Sequence, residues 1–356
     1  MESLFTRKLM IWNEDHNHRP MPWKGEKDPY KIWLSEVILQ QTRVEQGWKY
    51  YDRFVLEFPT IKHLANTSDE KVYKLWEGLG YYARCKNLIE TARRITNEMD
   101  GVFPGNYTEI KKLKGIGPYT AAAISSFAYN EKIAVVDGNV QRVIARYFGI
   151  STPIDTATGK NFFHQLAQHL LDKNSPARYN QAIMDFGATI CKPKSPLCLQ
   201  CIQKEECEAY RKGFVRELPV KEKSLQKKNR WLYYFLIEIN QKVLIRKRIE
   251  KDIWRNLHEF VLLENHGPIS RSFQSHPFLR DIFGKAPFHI YHVSRLYKQQ
   301  LTHQNIYSQF IILKAQKHSR VLRSYELIAK DKLALYAFPK IINQFMNEHL
   351  RTGPFF

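Results

Sequence analysis

The sequence predicts two domains of different fold class: a mainly α domain over residues 1–213 and an α+β domain over residues 231–356. Apolar residues recur at helical spacing up to about residue 190, and strand-like apolar runs begin near residue 231. The segment 214–230 between them is rich in Lys and Arg and has no sustained periodicity, which indicates a linker. At 356 residues and 44% hydrophobic, the chain is long enough for each domain to bury its own core.

A helix that begins at Pro29 is predicted with Asp28 as its cap, because proline has no N–H that would lack a partner in the first turn. This helix is apolar nearly all round but carries Glu36 in its middle. A carboxyl group in a poorly solvated place has a raised pKa, as a general acid working near neutral pH requires. The alternatives are a glutamate that reaches solvent and a buried salt bridge.

Residues 107–128 predict a helix, a hairpin and a second helix that begins at Pro118. The hairpin glycines allow a tight turn and leave backbone N–H groups at a helix N-terminus, where a phosphate of any base sequence can bind. We therefore expect Lys114, Gly115 and Gly117 to contact a nucleic-acid backbone.

Asp137 follows an apolar run and precedes Gly138, Asn139 and another predicted helix. Aspartate is a favoured N-cap, so one interpretation of Asp137 is purely structural. A carboxylate that caps a helix can also face a substrate, and the two interpretations are compatible.

The net charge of +20, with a pI near 9.6, indicates a polyanionic partner. The first 100 residues carry a net charge of only +1 and the remainder carries +19. Because the basic excess begins at the hairpin, it favours nucleic acid over a general solubility surplus.

Four of the five cysteines lie within 17 residues of one another, with intervals of six, two and five residues. A structural zinc site usually shows two close cysteine pairs, whereas this arrangement suits four thiolates around a [4Fe–4S] cluster. The predicted ligands are Cys191, Cys198, Cys201 and Cys207. Lys192 and Lys194 would project from the same loop toward a phosphate.

No signal peptide is evident, and no apolar run approaches the ~18 residues of a transmembrane helix. We therefore expect a cytoplasmic protein, in which clustered cysteines bind metal rather than form disulfides.

Together these motifs resemble the helix-hairpin-helix/Gly-Pro-Asp superfamily of DNA glycosylases, and most closely its MutY family of adenine glycosylases. The resemblance covers nearly the whole chain, and SEVILQQT together with VVDGN is its most specific part. The motifs that carry it are MPWKGEKDPYKIWLSEVILQQTRV (21–44), EGLGYYARCKN (77–87), LKGIGPYTA (113–121), VVDGNVQRV (135–143), NQAIMDFGATIC (180–191) and the cysteine spacing.

The resemblance implies a helix-hairpin-helix glycosylase fold and excision of adenine mispaired with 8-oxoguanine in double-stranded DNA, from which the base must leave the stack. Glu36 would protonate adenine N7, and ionised Asp137 would stabilise the positive sugar. Tyr81 and Asn139 match positions that support the site. The residues implied to lie around the base and the disrupted duplex are Trp23, Lys24, Leu39, Gln41 and Gln181.

Lyase-competent relatives carry a lysine just after the hairpin, where this chain has Tyr119, so the resemblance implies a monofunctional enzyme. The C-terminal domain resembles the Nudix-like recognition domain of the family, without the glutamate-rich helix of a hydrolase. Leu301, Thr302 and His303 align with the Phe-Ser-His loop that senses 8-oxoguanine, and two of the three positions differ from it. The alternative is that His303 is an ordinary surface-loop residue with no role in recognition of the lesion.

Two other functions stay open at this point. One is a related glycosylase that removes another base, such as thymine opposite guanine, and the other is a non-catalytic iron–sulfur protein that binds DNA. Glu36 argues against both, because thymine has no equivalent ring nitrogen to protonate and a sensor needs no buried acid. A monomer suffices, since one extruded base needs one chain.

Overall fold

The structure is a computed structural model that describes residues 3–40, 42, 44–222, 226–269, 273–317 and 320–349. The chain forms two compact units: unit 1 contains Met1–Asn66 and Asn87–Ser224, and unit 2 contains Thr67–Lys86 and Leu225–Phe356. The sequence predicts residues 1–213 as one domain, whereas in the structure the segment Thr67–Lys86 belongs to unit 2.

The chain is helical up to the linker. Helix α5 and the first residues of α6 belong to unit 2, and the other helices to unit 1. In chain order the helices are α1 (Leu4–Asp15), α2 (Pro29–Leu39), α3 (Val44–Glu57), α4 (Ile61–Ala65), α5 (Asp69–Trp76), α6 (Tyr82–Glu98), α7 (Tyr107–Lys111), α8 (Pro118–Tyr129), α9 (Gly138–Phe148), α10 (Ala157–Leu170), α11 (Pro176–Thr189) and α12 (Glu208–Arg211). Among the described residues, no helix combines the length and apolar character needed to cross a membrane.

Capping residues fix where the helices of unit 1 begin. Asp28 accepts a hydrogen bond from the backbone N–H of Tyr30 at 2.9 Å, and Pro29 is the first residue of α2, as the sequence predicts. Helices α7 and α8 form the predicted helix-hairpin-helix, with Gly117 as the N-cap of α8. These starts place the functional side chains at defined turns of their helices.

One core cluster of unit 1 lies between α1, α9, α10 and α11. Trp12 of α1 packs edge-on against Phe186 of α11, with ring centroids 5.0 Å apart. Phe163 of α10 and Ile144 of α9 are fully buried in the same cluster. This packing fixes α9, which carries Asp137 at its N-terminus, against α11.

Unit 2 contains a sheet whose path is β3-β2-β1-β7-β5, with β4 also paired to β1, β6 to β7 and β8 to β2. Strands β1 and β7 are parallel, and the other pairs are antiparallel. The elements are β1 (Lys228–Ile239), β2 (Lys242–Lys247), β3 (His258–Glu259), β4 (Val261–Asn265), α13 (Pro277–Phe283), β5 (Phe288–Val293), β6 (Tyr297–Gln300), β7 (Gln304–Ala315), β8 (Glu326–Ala329) and α14 (Lys340–His349).

The runs WLYYFLIEI (231–239), KVLIRKR (242–248) and IYSQFIIL (306–313) predict strands, and β1, β2 and β7 confirm them. The sequence also predicts one helix over 330–350, and this prediction is wrong in its first half. Residues Lys330–Leu335 form a 3₁₀ turn, and the α-helix begins only at Lys340, directly after Pro339. A proline removes a backbone donor and disfavours helical geometry in the residue before it, so the apolar pattern could not continue through it.

Gly187 of α11 lies against the start of α9. A Cβ atom at Gly187 would be 2.7 Å from Asn139 Cβ and 3.1 Å from the Asn139 carbonyl oxygen. We therefore expect Gly187→Ala to lower the free energy of unfolding by about 1–3 kcal/mol, because the two helices would have to separate. Gly105→Ala is the matched control, since nothing lies within 4 Å of its added Cβ. Equal denaturant midpoints for the two variants would contradict this account of the packing.

Candidate active site

A cavity of about 680 Å³ opens in unit 1. Glu36 from α2, Tyr119 from α8, and Asp137 and Asn139 from the start of α9 line it. Three separate stretches of sequence are therefore brought to one concave site, which is the usual setting for a small-molecule or base pocket.

Glu36 is a buried acid at this cavity. Its residue is 7% exposed, and burial raises the pKa of its carboxyl group to about 7. A hydrogen bond with Tyr119 opposes this rise in pKa, while the nearby charge of Asp137 adds to it. At neutral pH the carboxyl group therefore keeps a proton in a large fraction of molecules, and of the three sequence interpretations the poorly solvated acid fits best.

Asp137 caps α9, as one sequence interpretation predicts, and it also lines the same cavity. Its Oδ1 accepts hydrogen bonds from the backbone N–H groups of Asn139 and Val140, each at 2.8 Å. The side-chain amide of Asn139 donates to Oδ2 at 2.6 Å. Burial raises the pKa of Asp137, and these three hydrogen bonds together with the charge of Arg142 oppose the rise because they stabilise the anion.

Tyr119 has a role that sequence reasoning missed. The sequence argument used Tyr119 only as the residue that replaces a lysine, whereas its hydroxyl is hydrogen-bonded to Glu36. Burial raises the pKa of Tyr119 well above its ordinary value, so the phenol stays neutral and donates this bond to the ionised carboxylate. Its position directly after the hairpin proline was the available signal.

Arg142 was also missed. This buried side chain of α9 donates to Asn139 Oδ1 at 2.9 Å, to the Gly187 carbonyl at 2.7 Å and to the Cys191 carbonyl at 2.8 Å. Arg142 thereby links the Asn139 side-chain amide, which is hydrogen-bonded to Asp137, with Cys191 at the start of the cysteine loop. An arginine three residues after Asn139, on a helix with a strong apolar face, was the only sequence signal.

Several predicted pocket residues line the same cavity, namely Trp23, Lys24, Leu39 and Gln181. Gln41 lies outside the described residues.

Tyr81 belongs to unit 2 and is 44% exposed, and its hydroxyl is hydrogen-bonded to Thr302 of the same unit. Gly78, Gly80 and Tyr81 all have positive φ angles, so the chain makes a tight turn before α6. That Tyr81 supports the site of Glu36 stays a prediction.

The three residues of the predicted lesion loop lie between β6 and β7. Leu301 is tied across the turn by a bond from its N–H to the Gln304 carbonyl at 2.8 Å, and the His303 carbonyl accepts from Lys228 at 3.0 Å. Thr302 contacts Tyr81, whereas the side chain of His303 is exposed. The backbone of this loop is therefore fixed by the sheet.

The hairpin presents its polar groups at the surface. Gly115 has a φ of +76°, which glycine adopts without strain, and it packs on Asn87. Lys114 and Gly117 are exposed, and Lys114 Nζ forms an ion pair with Glu90 at 2.6 Å. This geometry leaves the N-terminus of α8 open to an anion.

The cysteine loop gathers its four thiols around one small cavity. Arg146 donates to Cys191 Sγ at 3.5 Å and to the Lys192 carbonyl at 2.7 Å, which supplies positive charge beside the thiols. Four cysteine thiols are the donor type that binds an iron–sulfur cluster. No group of three or more His, Cys, Asp or Glu side chains arranged for a metal ion is found in the described part of the chain. Lys194 is exposed and Lys192 is half-buried.

Residues 34–180 match the family model described as "HhH-GPD superfamily base excision DNA repair protein". An adenine DNA glycosylase of Buchnera aphidicola subsp. Baizongia pistaciae is 33% identical over 262 residues, covering 72% of this chain and 73% of the relative. The adenine DNA glycosylase of Homo sapiens is 39% identical over 214 residues, covering 58% of this chain and 39% of that protein.

Among solved structures, a thermostable thymine-DNA glycosylase is 32% identical with a TM-score of 0.55, covering 58% of this chain and 95% of that one. A trapped endonuclease III–DNA intermediate has a TM-score of 0.51 at 20% identity, over 58% of this chain and 94% of that one, which shows a shared fold.

The fold and the two-carboxylate site therefore define a base-excision DNA repair glycosylase of the helix-hairpin-helix superfamily. Within that superfamily, the chain belongs to the adenine DNA glycosylase family.

The raised pKa of Glu36 predicts a pH-dependent cost in stability. The folded pKa of about 7 exceeds the ordinary value of 4.5, so between these pH values the folded state binds the extra proton and stability falls as pH rises. Glu36→Gln removes this cost. The difference in unfolding free energy between Glu36→Gln and wild type should grow in favour of the variant by about 3 kcal/mol from pH 4 to pH 8.

Denaturant unfolding at several pH values measures this difference, with the exposed Glu45→Gln as the control. A difference that stays constant with pH for Glu36→Gln would show that Glu36 has an ordinary pKa.

Proposed function

We propose that the protein hydrolyses the N-glycosidic bond of adenine mispaired with 8-oxoguanine or guanine in double-stranded DNA and does not cut the strand. The observation that carries this proposal is the pairing, in one cavity, of a buried acid with a pKa of about 7 and a helix-capping carboxylate. Membership of the adenine DNA glycosylase family supports adenine as the base.

Glu36 and Asp137 have different tasks in this reaction. The protonated carboxyl group of Glu36 gives its proton to N7 of the extruded adenine, which turns the base into a neutral leaving group. The ionised carboxylate of Asp137 stabilises the positive charge that develops on the sugar as the bond breaks. A water molecule then attacks C1′, where its hydroxide forms the new C–O bond. The remaining proton of this water goes to the carboxylate of Glu36 and restores the acid. Two carboxylates in different environments thus serve as acid and anion.

Two neighbours support these tasks. The hydrogen bond from Tyr119 stabilises the Glu36 carboxylate that proton transfer leaves behind. Asn139 donates to both oxygens of the Asp137 carboxylate, from its backbone N–H to Oδ1 and from its side-chain amide to Oδ2. Since no amine stands at position 119, a Schiff base with the sugar does not form there, and the product is an intact strand with an abasic site.

The residues proposed to bind the base are Trp23, Lys24, Leu39 and Gln181, which line the cavity, together with Gln41, which follows two residues after Leu39 in the sequence.

Removal of thymine opposite guanine is the second candidate function, because a thymine-DNA glycosylase is 32% identical. Adenine is favoured chemically, since thymine has no ring nitrogen that Glu36 could protonate while the glycosidic bond is intact.

DNA backbone contacts are proposed at the hairpin, through Lys114 and the N–H groups beside Gly115 and Gly117, and at Lys192 and Lys194. Exposed donors at a helix N-terminus bind phosphate and carry no base preference. The protein is proposed to act on DNA in the cytoplasm as a monomer, because one base is removed at a time and one chain is enough for that reaction.

The sheet of unit 2 is proposed to act as a Nudix-like recognition domain for 8-oxoguanine. Leu301, Thr302 and His303 would contact the lesion, Leu301 as an apolar wedge and the other two as hydrogen-bonding groups. The support is the loop's fixed backbone and the exposed side chain of His303.

The cysteine loop is proposed to hold one [4Fe–4S] cluster through Cys191, Cys198, Cys201 and Cys207, the four thiols that line one cavity. When bound, the cluster supplies covalent cross-links between distant points of the loop. Arg142 and Arg146 bond to carbonyl groups of the same loop and tie it to α9.

The activity is tested by single-turnover excision on duplexes that carry adenine or thymine opposite 8-oxoguanine or guanine. Wild type should release adenine, with strand breaks only after alkali, and the rate should fall above about pH 7 as Glu36 ionises. Glu36→Gln and Asp137→Asn should each lose about 10²-fold or more. No release of adenine by folded wild type, or preferential release of thymine, would overturn the proposal.

The cluster is tested by metal analysis of the purified full chain. Wild type should be brown with about four irons per chain, and Cys198→Ser should lose the iron or the fold. Cys85→Ser is the matched control, since Cys85 is a buried thiol outside the cysteine loop and its iron content should match wild type. Active, colourless protein loaded with zinc would contradict the assignment.

A further inference from the structure

Asp185 of α11 is a fully buried carboxylate that three donors surround. Its Oδ1 accepts from Arg19 at 2.8 Å, and its Oδ2 accepts from Asn17 at 3.0 Å and lies 3.3 Å from Lys24 Nζ. The side chain of Asp185 has no exposure, whereas those of Arg19 and Lys24 are 24% and 31% exposed. Burying a carboxylate costs several kcal/mol unless such partners compensate the cost. The three donors are therefore needed for Asp185 to be buried at this position.

Asp185, Arg19 and Lys24 all line the cavity that contains Glu36 and Asp137. Only one guanidinium nitrogen of Arg19 is engaged by Asp185, and within the described residues Nε and the other terminal nitrogen have no hydrogen-bond partner. Arg19 therefore presents fixed donors with unused capacity at the wall of the cavity.

We propose that Asp185 is a positioning residue for base recognition, which holds Arg19 and Lys24 so that their remaining donors meet acceptor atoms of the extruded adenine. This inference rests on the proposed function. Adenine presents N1 and N3 as acceptors in addition to the N7 atom assigned to Glu36. Donors that are already fixed lose little rotational freedom when the base arrives, which strengthens binding and fixes its orientation.

A purely structural role for Asp185 would tie the segment around Arg19 to α11 and affect every DNA complex equally. A positioning role depends on the presence of a base in the cavity. The two are separated by comparing two duplexes that differ only in that base.

The experiment measures the dissociation constants of the full chain for two duplexes with 8-oxoguanine in one strand. Opposite it stands either 2′-fluoro-2′-deoxyadenosine, whose fluorine destabilises a cationic sugar and prevents cleavage, or a tetrahydrofuran abasic analogue without a base. Asp185→Asn should weaken binding of the fluoroadenosine duplex about tenfold, because it removes a charged hydrogen-bond partner, and leave the tetrahydrofuran duplex unchanged. Asp100→Asn, on the exposed surface, removes the same charge and should change neither.

Equal weakening of both duplexes by Asp185→Asn, or no weakening of either, overturns the proposal. If too little folded Asp185→Asn is recovered, Arg19→Gln removes the same ion pair from its exposed side, and the same base-dependent loss is required. Wild-type adenine release, measured in parallel, reports on the proposed function separately: its absence would refute the reaction, whereas its presence without a base-dependent loss would refute only the role of Asp185.

Discussion

Exclusion of water from the Glu36 carboxyl group is the constraint on which the site depends. A glutamate on a surface helix would be ionised at neutral pH and could not give a proton to a base. Helix α2 is apolar on nearly all sides and is buried along most of its length, so the carboxyl group has little solvent to stabilise its charge. The same burial that stabilises the fold therefore produces the acid.

Asp137 has the opposite requirement, because it has to be ionised although it is buried. Burial alone would favour its neutral form, but the helix N-terminus, Asn139 and Arg142 supply donors and positive charge that favour the anion. Burial raises the pKa of both carboxyl groups, but at Asp137 three hydrogen bonds and the charge of Arg142 oppose the rise, whereas at Glu36 only the hydrogen bond with Tyr119 does. Because Arg142 also bonds to the Cys191 carbonyl, the loop that carries the cysteines helps to fix the geometry around the anion.

The sequence predicted those parts of the site that depend on local pattern. Asp28 and Pro29 determine where α2 begins, and the apolar positions around Glu36 determine that it is buried, all within one helix. The hydrogen bond between Tyr119 and Glu36 joins residues far apart in sequence, and no local pattern reveals it. The hydrogen bond between Tyr81 and Thr302 likewise joins residues more than 200 positions apart in the chain. Local signals likewise predicted β1, β2 and β7 but missed the short strands, whose pairing depends on the completed sheet.

The most direct test of the account is the ionisation of Glu36 itself. Carboxyl ¹³C chemical shifts of glutamate-labelled protein, with Glu36→Gln used to assign the resonance, report its protonation across pH. The account predicts that Glu36 titrates at a pH near 7. Titration near the ordinary glutamate value of about 4.5 would contradict it, because the group would then be an anion under the conditions in which it has to act as an acid.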